Sequence, residues 1–167
     1  MAKRLVKVRV KLDVSDWHGH GSETLWAEPI SENEQRVLQI KNSPFFAKDI
    51  NNLDVVKAKF PENDVVGDFI EVIERGGHST YMLLIPPAET RILSYWSMLE
   101  GLGCSYESMR IDLSIGRRLL YSVDVTPTTD IREVYEILER GQDQGVWMFQ
   151  EGYAYTPGSP RPTPMAM

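Results

Sequence analysis

The sequence contains a single cysteine, Cys104, in 167 residues. One thiol cannot form an internal disulfide, and it rules out the zinc sites built from four cysteines. The chain also lacks any run of roughly 18 consecutive apolar residues, so no membrane-spanning helix is predicted. Its first residues, MAKRLVKVRVKLDV, alternate between charged and apolar side chains and have none of the continuous apolar stretch of a signal peptide. We therefore expect a cytoplasmic protein that does not bind a membrane.

Positive charge is scarce as well, with 18 Lys and Arg against 24 Asp and Glu and a formal net charge of -6. Proteins that bind the nucleic-acid backbone carry a basic stripe, so no nucleic-acid partner is expected. The segment GGHST, at positions 76–80, lacks the lysine and the spacing of a phosphate-binding loop. An acidic surface attracts basic partners, so the composition permits a basic protein as the partner.

The N-terminal half has the period of β-strands. Val6, Val8 and Val10 alternate with basic side chains, which predicts a strand with one buried face. Four further runs, TLWAEPI, RVLQIKN, DVVKAKF and DFIEVIER, are separated by turn residues and also predict strands. Residues 1–75 are therefore expected to form a curled antiparallel sheet or a small barrel.

The segment ERGGHSTYMLLIPP, at positions 74–87, predicts a β-hairpin. Two glycines, Gly76 and Gly77, stand between two apolar runs, which is the signal of a two-residue turn. Such a turn places Arg75 opposite His78, and it makes the flanking strands a central antiparallel pair with His78 and Ser79 at the rim of the sheet.

Two helices are predicted after this segment. Apolar residues recur at intervals of three and four from Ile92 to Leu102, which predicts a helix that Gly101 and Gly103 end. Asp130 and Glu133 have the three-residue spacing of a capping box, which predicts a helix that begins at Asp130. This helix is predicted to end at Gly141.

The order of elements from position 79 onward is β-α-β-β-α-β, which is the order of a ferredoxin-like unit. We therefore expect an α+β protein with one compact domain at 1–156, in which a β-rich half, 1–75, joins a ferredoxin-like half, 76–156. The last residues, 157–167, contain four prolines and little to bury, so they are predicted to form a flexible tail.

Side chains of catalytic type are present, but no catalytic set is predicted. His78 and Ser79 offer a base and a hydroxyl, yet neighbours on a strand point to opposite faces, whereas a Ser-His pair needs a direct hydrogen bond. A structural hairpin end is favoured over a hydrolase site, and a binding role stays open. Cys104, next to a helix-ending glycine, is predicted to pack in the core.

A metal site is considered at His18 and His20, because two histidines in His-x-His spacing can begin one. A third ligand would have to come from His78 or Cys104, and the loop around the first pair is rich in glycine. We therefore predict no metal, no cofactor and no catalytic residue.

The segment NSPFFAKDI, at positions 42–50, breaks the strand pattern. Adjacent phenylalanines cannot both face one side of a strand. Burial in the core or as a plug of the barrel is favoured for Phe45 and Phe46, and the alternative is that one plugs the barrel while the other meets a ligand or a partner.

Five stretches in order, ETLWAEPI, NSPFFAKDI, ERGGHSTYMLLIP, LGCSYE and GVWMFQEGY, resemble the bacterial family known as domain of unknown function 4265. The resemblance extends from about Val6 to Tyr153. The family pattern GHSTYR is matched from Gly77 to Tyr81, with Met82 in place of the arginine. The resemblance implies family membership and assigns no activity.

We expect the protein to bind another protein without turnover, as small acidic bacterial proteins of no evident chemistry include immunity proteins that neutralise a toxin. The expected partner is a basic toxin domain encoded by a neighbouring gene. The alternative is an enzyme or small-ligand-binding protein with a pocket between NSPFF and GGHST. The candidate contact residues come from these two segments and from acidic loop or strand-end positions: Glu32, Glu34, Asn42, Ser43, Phe45, Phe46, Arg75, His78, Ser79, Asp143 and Glu151.

Overall fold

Two β-sheets and two helices are present in the computed structural model, which describes residues 4–31 and 35–156. The predicted tail, 157–167, and two candidate contact residues, Glu32 and Glu34, lie outside the described residues. The prediction of an α+β protein with an N-terminal barrel is confirmed.

The N-terminal sheet is a closed barrel in which the strands follow one another in chain order. Its first strand pairs antiparallel with the second and parallel with the fifth, and this last pairing closes the barrel. The strands are β1 (Val6–Lys11), β2 (Ser22–Ser31), β3 (Gln35–Ile40), β4 (Val55–Lys59) and β5 (Val66–Glu74).

Alternation of side chains fills the barrel. In β1 the valines are buried and the basic residues between them are exposed, as the sequence predicts. Small residues, Ala27 and Ala58, let opposing strands approach, and Phe60 lies buried in the same core. The other fully buried members of this core are Val8, Leu25, Leu38, Ile40, Ala47, Ile50 and Val56.

The second sheet has four strands and carries the two helices. Its strands are β6 (Ser79–Ile85), β7 (Ser105–Leu113), β8 (Gly116–Val125) and β9 (Met148–Tyr153). Their order is β7-β8-β6-β9, and every neighbouring pair is antiparallel. Helix α1 (Ile92–Gly101) and helix α2 (Ile131–Asp143) pack on one face of this sheet through a core that includes Trp96, Leu138 and Trp147.

The predicted hairpin at Gly76 and Gly77 is wrong. Strand β5 pairs with β1 and β4 in the barrel, whereas β6 pairs with β8 and β9 in the second sheet. The two glycines carry the chain from one sheet to the other, so Arg75 and His78 are not strand partners. Gly77 has φ +88°, and a Cβ on Gly76 would collide with the carbonyl group of Leu53, so both positions require glycine for reasons unrelated to a two-residue turn.

Helix α2 begins as predicted, because the carboxylate of Asp130 accepts a hydrogen bond from the backbone N–H of Arg132 at 2.9 Å. Its predicted end at Gly141 is wrong by two residues. Gly141 lies inside the helix, where a Cβ would collide with the indole ring of Trp147. This glycine therefore permits close packing of the helix against the residue that precedes β9.

The other face of the second sheet packs against the barrel half. Phe46 is buried there with Met82, Ile111 and Leu120, and Phe45 packs at the edge of the same cluster. Burial of Phe46 in a core is therefore confirmed, but neither phenylalanine plugs the barrel. The barrel core contains Phe60 together with Ala47 and Ile50 of the 42–50 segment, whereas Phe45 and Phe46 pack toward the second sheet.

Candidate functional site

The 42–50 segment is held by one carboxylate. Glu23, on β2, accepts three backbone hydrogen bonds, from Phe45 at 2.6 Å, from Phe46 at 3.0 Å and from Ala47 at 2.8 Å. A carboxylate that accepts several N–H groups fixes an irregular backbone which has no strand to bond to. This arrangement sets the direction in which Phe46 enters the cluster on the second sheet.

The start of the segment is fixed from both sides. The Asn42 side-chain oxygen accepts the N–H of Trp26, on β2, at 2.7 Å. The hydroxyl of Ser122, on β8, donates to the carbonyl of Pro44 at 2.5 Å. The hydroxyl oxygens of Ser122 and Ser43 lie 2.9 Å apart. Asn42 and Ser43 therefore join the barrel to the second sheet through bonds within the chain.

A buried polar cluster follows at the crossing between the sheets. The carboxylate of Asp54 is fully buried and accepts hydrogen bonds from the backbone of Asn51 and Gly76 and from the guanidinium of Arg75, at 2.9, 3.0 and 2.9 Å. Burial raises the pKa of Asp54, and these three bonds oppose the shift. The Arg75 guanidinium also lies 3.7 Å from the centre of the Tyr153 ring.

His78 and Ser79 face different partners. The Nδ1 atom of His78 lies 2.9 and 3.0 Å from the two carboxylate oxygens of Asp124. The hydroxyl of Ser79 accepts the backbone N–H of Tyr155 at 2.8 Å. The imidazole and the hydroxyl are each engaged in a bond within the chain, and they form no nucleophile–base pair with one another.

The polar contacts continue into the second sheet through Asn51. Its side-chain nitrogen donates to the carbonyl of His78 at 2.7 Å, and its side-chain oxygen accepts from the hydroxyl of Thr80 at 2.6 Å. Asn51 and Thr80 are fully buried. Such a satisfied network fixes the relative position of two elements, because breaking it leaves buried polar groups without partners.

The Cys104 thiol lies in the core, and His18 and His20 lie in the loop between β1 and β2. Burial raises the pKa of Cys104 to about 12, so the thiol stays protonated and unreactive at neutral pH. His18 is buried, and its Nδ1 atom accepts the backbone N–H of His20 at 2.9 Å. Within residues 4–31 and 35–156, no three His, Cys, Asp or Glu side chains come together as metal ligands.

The candidate contact residues fall into two separate regions. Asn42, Ser43, Phe45, Phe46, Arg75, His78 and Ser79 lie at the junction between the barrel and the second sheet. Asp143, at the end of α2, and Glu151, on β9, are exposed on the outer side of that sheet. Their role in binding stays a prediction.

Residues that sequence reasoning missed complete the junction: Glu23, Asn51, Asp54, Ser122 and Asp124. One of them carried a signal. Asp124 interrupts the apolar run LLYSVDV, and a carboxylate in such a run is a sign of a buried, paired group. Glu23 carried no such signal, since its three partners are defined only by the irregular path of the 42–50 segment.

An open groove lies between α2 and β9. It has a volume of about 380 Å³, with Tyr81 at its buried floor and Tyr135, Glu136 and Glu151 among the residues that line it. Tyr135 is 44% exposed, although it makes an edge contact with Phe149 at 5.5 Å between ring centres. The groove thus combines aromatic surface with carboxylates.

Acidic residues are concentrated in the part of the chain that contributes α2 and β9 to this groove. Between Asp130 and Glu151 there are six acidic and two basic residues, a net charge of -4 out of -6 for the whole chain. All eight are exposed. The acidic members form no ion pair with another described residue. We call this surface, formed by exposed residues of 130–151, the acidic face.

Comparison with known proteins gives a family and a fold. The family described as "Domain of unknown function (DUF4265)" matches residues 23–149. No curated protein matches the sequence. The solved structure described as "Novel crystal structure of a hypothetical protein from Neisseria gonorrhoeae" is similar, with a TM-score of 0.66 and 15% identity, over 91% of this chain and 96% of that chain. Neither helix of the described residues is long and apolar enough to cross a membrane.

Proposed function

We propose that this chain, which belongs to the family described as Domain of unknown function (DUF4265), binds another protein without turnover, as an immunity protein that neutralises a bacterial toxin. The family description names no activity, so the proposal rests on the contacts described above. The proposed partner is a basic toxin domain encoded by a neighbouring gene, and the proposed location is the cytoplasm. Nucleic acid and membrane are not proposed as partners.

The observation that carries this proposal is the engagement of the catalytic-type side chains in bonds within the chain. His78 is paired with Asp124, and the Ser79 hydroxyl accepts from the backbone of Tyr155. A hydrolytic serine needs its hydroxyl bonded to the base that removes its proton. The Cys104 thiol is buried, and its raised pKa keeps it protonated. These contacts support structural roles, for His78 and Ser79 at the junction and for Cys104 in the core under the helices, which leaves exposed surfaces for function.

The acidic face supports the choice of partner. A protein interface needs exposed apolar anchors surrounded by polar residues. Tyr135 is 44% exposed, and Glu136 and Glu151 line the same groove beside it. Unpaired carboxylates at such a surface accelerate association with a basic partner and make it sensitive to salt. Occlusion of a toxin requires binding of this kind and requires no reacting group.

The experiment is a titration of toxin inhibition. The tagged protein is purified with the products of adjacent genes, and a copurifying toxin domain is assayed against increasing amounts of the protein and of its Ser79→Ala variant. Inhibition that ends at a one-to-one or two-to-two ratio, unchanged in the variant, supports the proposal. Protection far below one equivalent, lost in Ser79→Ala while the variant stays folded, establishes catalysis and overturns it.

We also infer that the second sheet and its helices form a ferredoxin-like unit. The observation that supports this is the element order βαββαβ from β6 to β9, combined with the antiparallel strand order β7-β8-β6-β9. Comparison of this half alone with ferredoxin-like structures is the test, and a superposition that fails to align both helices with all four strands contradicts the assignment.

A further inference from the structure

The groove between α2 and β9 has the chemistry of an anchor site for one basic side chain. Its lining includes the carboxylates of Glu136 and Glu151 and the phenol rings of Tyr81 and Tyr135. Aromatic faces attract cations, and their apolar surface also covers an aliphatic stem. A volume of about 380 Å³ is near the lower limit for ligand pockets, roughly 300 Å³, so the groove suits a side chain better than a large molecule.

The floor of the groove offers an uncommitted polar group. The Tyr81 side chain is buried, with a relative exposure of 1%, and its hydroxyl has no hydrogen-bond partner within residues 4–31 and 35–156. Burial, together with the nearby charge of Glu151, raises the pKa of Tyr81, so the hydroxyl stays protonated. A neutral phenol can accept a hydrogen bond from a guanidinium or ammonium group.

One cationic residue of the groove itself opposes the binding of a basic side chain. Arg132, in the first turn of α2, also lines the groove, and its charge partly neutralises the two carboxylates. Two carboxylates against one guanidinium leave the groove negative. The surrounding acidic face adds Glu133, Glu139 and Asp143, so the field at the groove favours a cation.

We propose that this groove receives an arginine or lysine side chain of the partner protein, inserted between Glu136 and Glu151 over the ring of Tyr135. The inference rests on the proposed function and deepens it, since it names the anchor that a basic partner uses. The acidic face then steers the encounter, and the groove supplies the buried contact that slows dissociation.

The test uses a small probe with the full ¹⁵N-labelled chain, followed by NMR. N-acetyl-arginine methylamide is titrated to about 50 mM, with the norleucine analogue as the uncharged control. We expect saturable shifts at residues that line the groove with the arginine probe and none with norleucine. Exposed ion pairs contribute about 0.2–1 kcal/mol each. Loss of both carboxylates in Glu136→Gln/Glu151→Gln should therefore weaken binding roughly two- to thirtyfold.

Two further variants sharpen the result. Glu62→Gln/Glu100→Gln removes the same charge from exposed positions elsewhere and should leave the affinity within about twofold. Arg132→Ala removes the competing cation and should strengthen binding of the arginine probe. If Arg132→Ala instead abolishes binding of the arginine probe, Arg132 holds the probe and does not repel it, and the charge argument for the proposal is wrong.

Other outcomes also overturn it. Absence of saturable shifts, equal shifts with norleucine, or an unchanged affinity in Glu136→Gln/Glu151→Gln each removes the proposed anchor. If Arg161→Ala alone moves the groove resonances, a side chain of the chain's own C-terminal segment occupies the groove and no partner is needed. The toxin titration is independent of these results, because inhibition at one equivalent that is unaffected by Glu136→Gln/Glu151→Gln keeps the proposed function and removes only this site.

Discussion

The carboxylate of Glu23 and the backbone nitrogen of Phe46 lie 3.0 Å apart, and the same carboxylate holds the residues on either side of Phe46. A single acidic side chain of the barrel therefore places the aromatic ring that packs on the second sheet. One glutamate on β2 thereby helps to set how the barrel packs against the second sheet.

We predict that Glu23→Ala lowers the free energy of unfolding by about 2–4 kcal/mol, because it leaves three partly buried N–H groups without an acceptor. Glu23→Gln should lose less, since one acceptor oxygen remains. The control is Asp68→Ala on β5, whose exposed ion pair with Arg9 at 2.9 Å contributes at most about 1 kcal/mol. Urea unfolding measures all three variants, and equal losses in Glu23→Ala and Asp68→Ala would contradict the proposed role of Glu23.

Gly76→Ala should be strongly destabilising, by about 2 kcal/mol or more, since the new Cβ collides with backbone atoms of Leu53 that cannot rotate away. Gly101→Ala is the matched substitution, because no atom lies within 4 Å of its added Cβ and the site is the last residue of α1. It should be neutral or slightly stabilising. Thermal unfolding of both variants decides, and a harmless Gly76→Ala would mean that the crossing between the sheets is looser than described.

His78 and Asp124 should be energetically coupled. Each alanine substitution leaves a buried polar partner, so His78→Ala and Asp124→Ala should each cost about 2–4 kcal/mol. The double variant should lose at least about 1 kcal/mol less than the sum of the two. A double-mutant cycle by chemical denaturation gives this value, and strict additivity would show that the 2.9 Å contact contributes nothing to stability.

Stability should fall on mild acidification because of His18. Burial lowers the pKa of this imidazole in the folded protein below its ordinary value of 6.5, while nearby Asp16 opposes the shift. Above pH 6.5 the side chain is neutral in both states and its contribution is fully present. As the pH falls from there through the lower folded pKa, the unfolded chain binds the proton first and this contribution is lost.

The contact that changes is defined. Nδ1 of His18 accepts the N–H of His20, and protonation of Nδ1 removes that acceptor. Urea unfolding at several pH values between 7.5 and 5 compares the parent with His18→Gln, in which this titration is absent and the carboxylates are retained. The parent should lose more stability than the variant, by at most about 1.4 kcal/mol per pH unit. Parallel profiles would rule out His18 as the cause.

Much of the secondary structure follows from local pattern, and the failures have one origin. The alternation in β1 and the cap at Asp130 predict their elements because each depends on residues a few positions apart. The hairpin at Gly76 and Gly77 fails because two glycines between apolar runs allow either a tight turn or a crossing to another sheet. Strand pairing distinguishes these alternatives, and pairing depends on distant residues.

The candidate site divides in the same way. Opposite orientation of His78 and Ser79 follows from their adjacency on an extended chain, so the absence of a Ser-His pair was predictable. The hydrogen-bond partners of His78 and Ser79 were not predictable from the sequence. Asp124 lies 46 residues along the chain from His78, and Tyr155 lies 76 residues from Ser79. The groove between α2 and β9 also exists only once the helix packs beside the edge strand.

The sequence by itself determined the net charge, the approximate positions of the strands and helices and, in strands such as β1, which face is buried, because hydrophobic periodicity is written in consecutive residues. Tertiary structure alone decided that the chain crosses between two sheets at Gly76, that Glu23 holds the 42–50 segment, and that Glu136 and Glu151 flank one groove. The physical reason is that a side chain's partner is set by the path of the whole chain, and the same local pattern is compatible with many such paths.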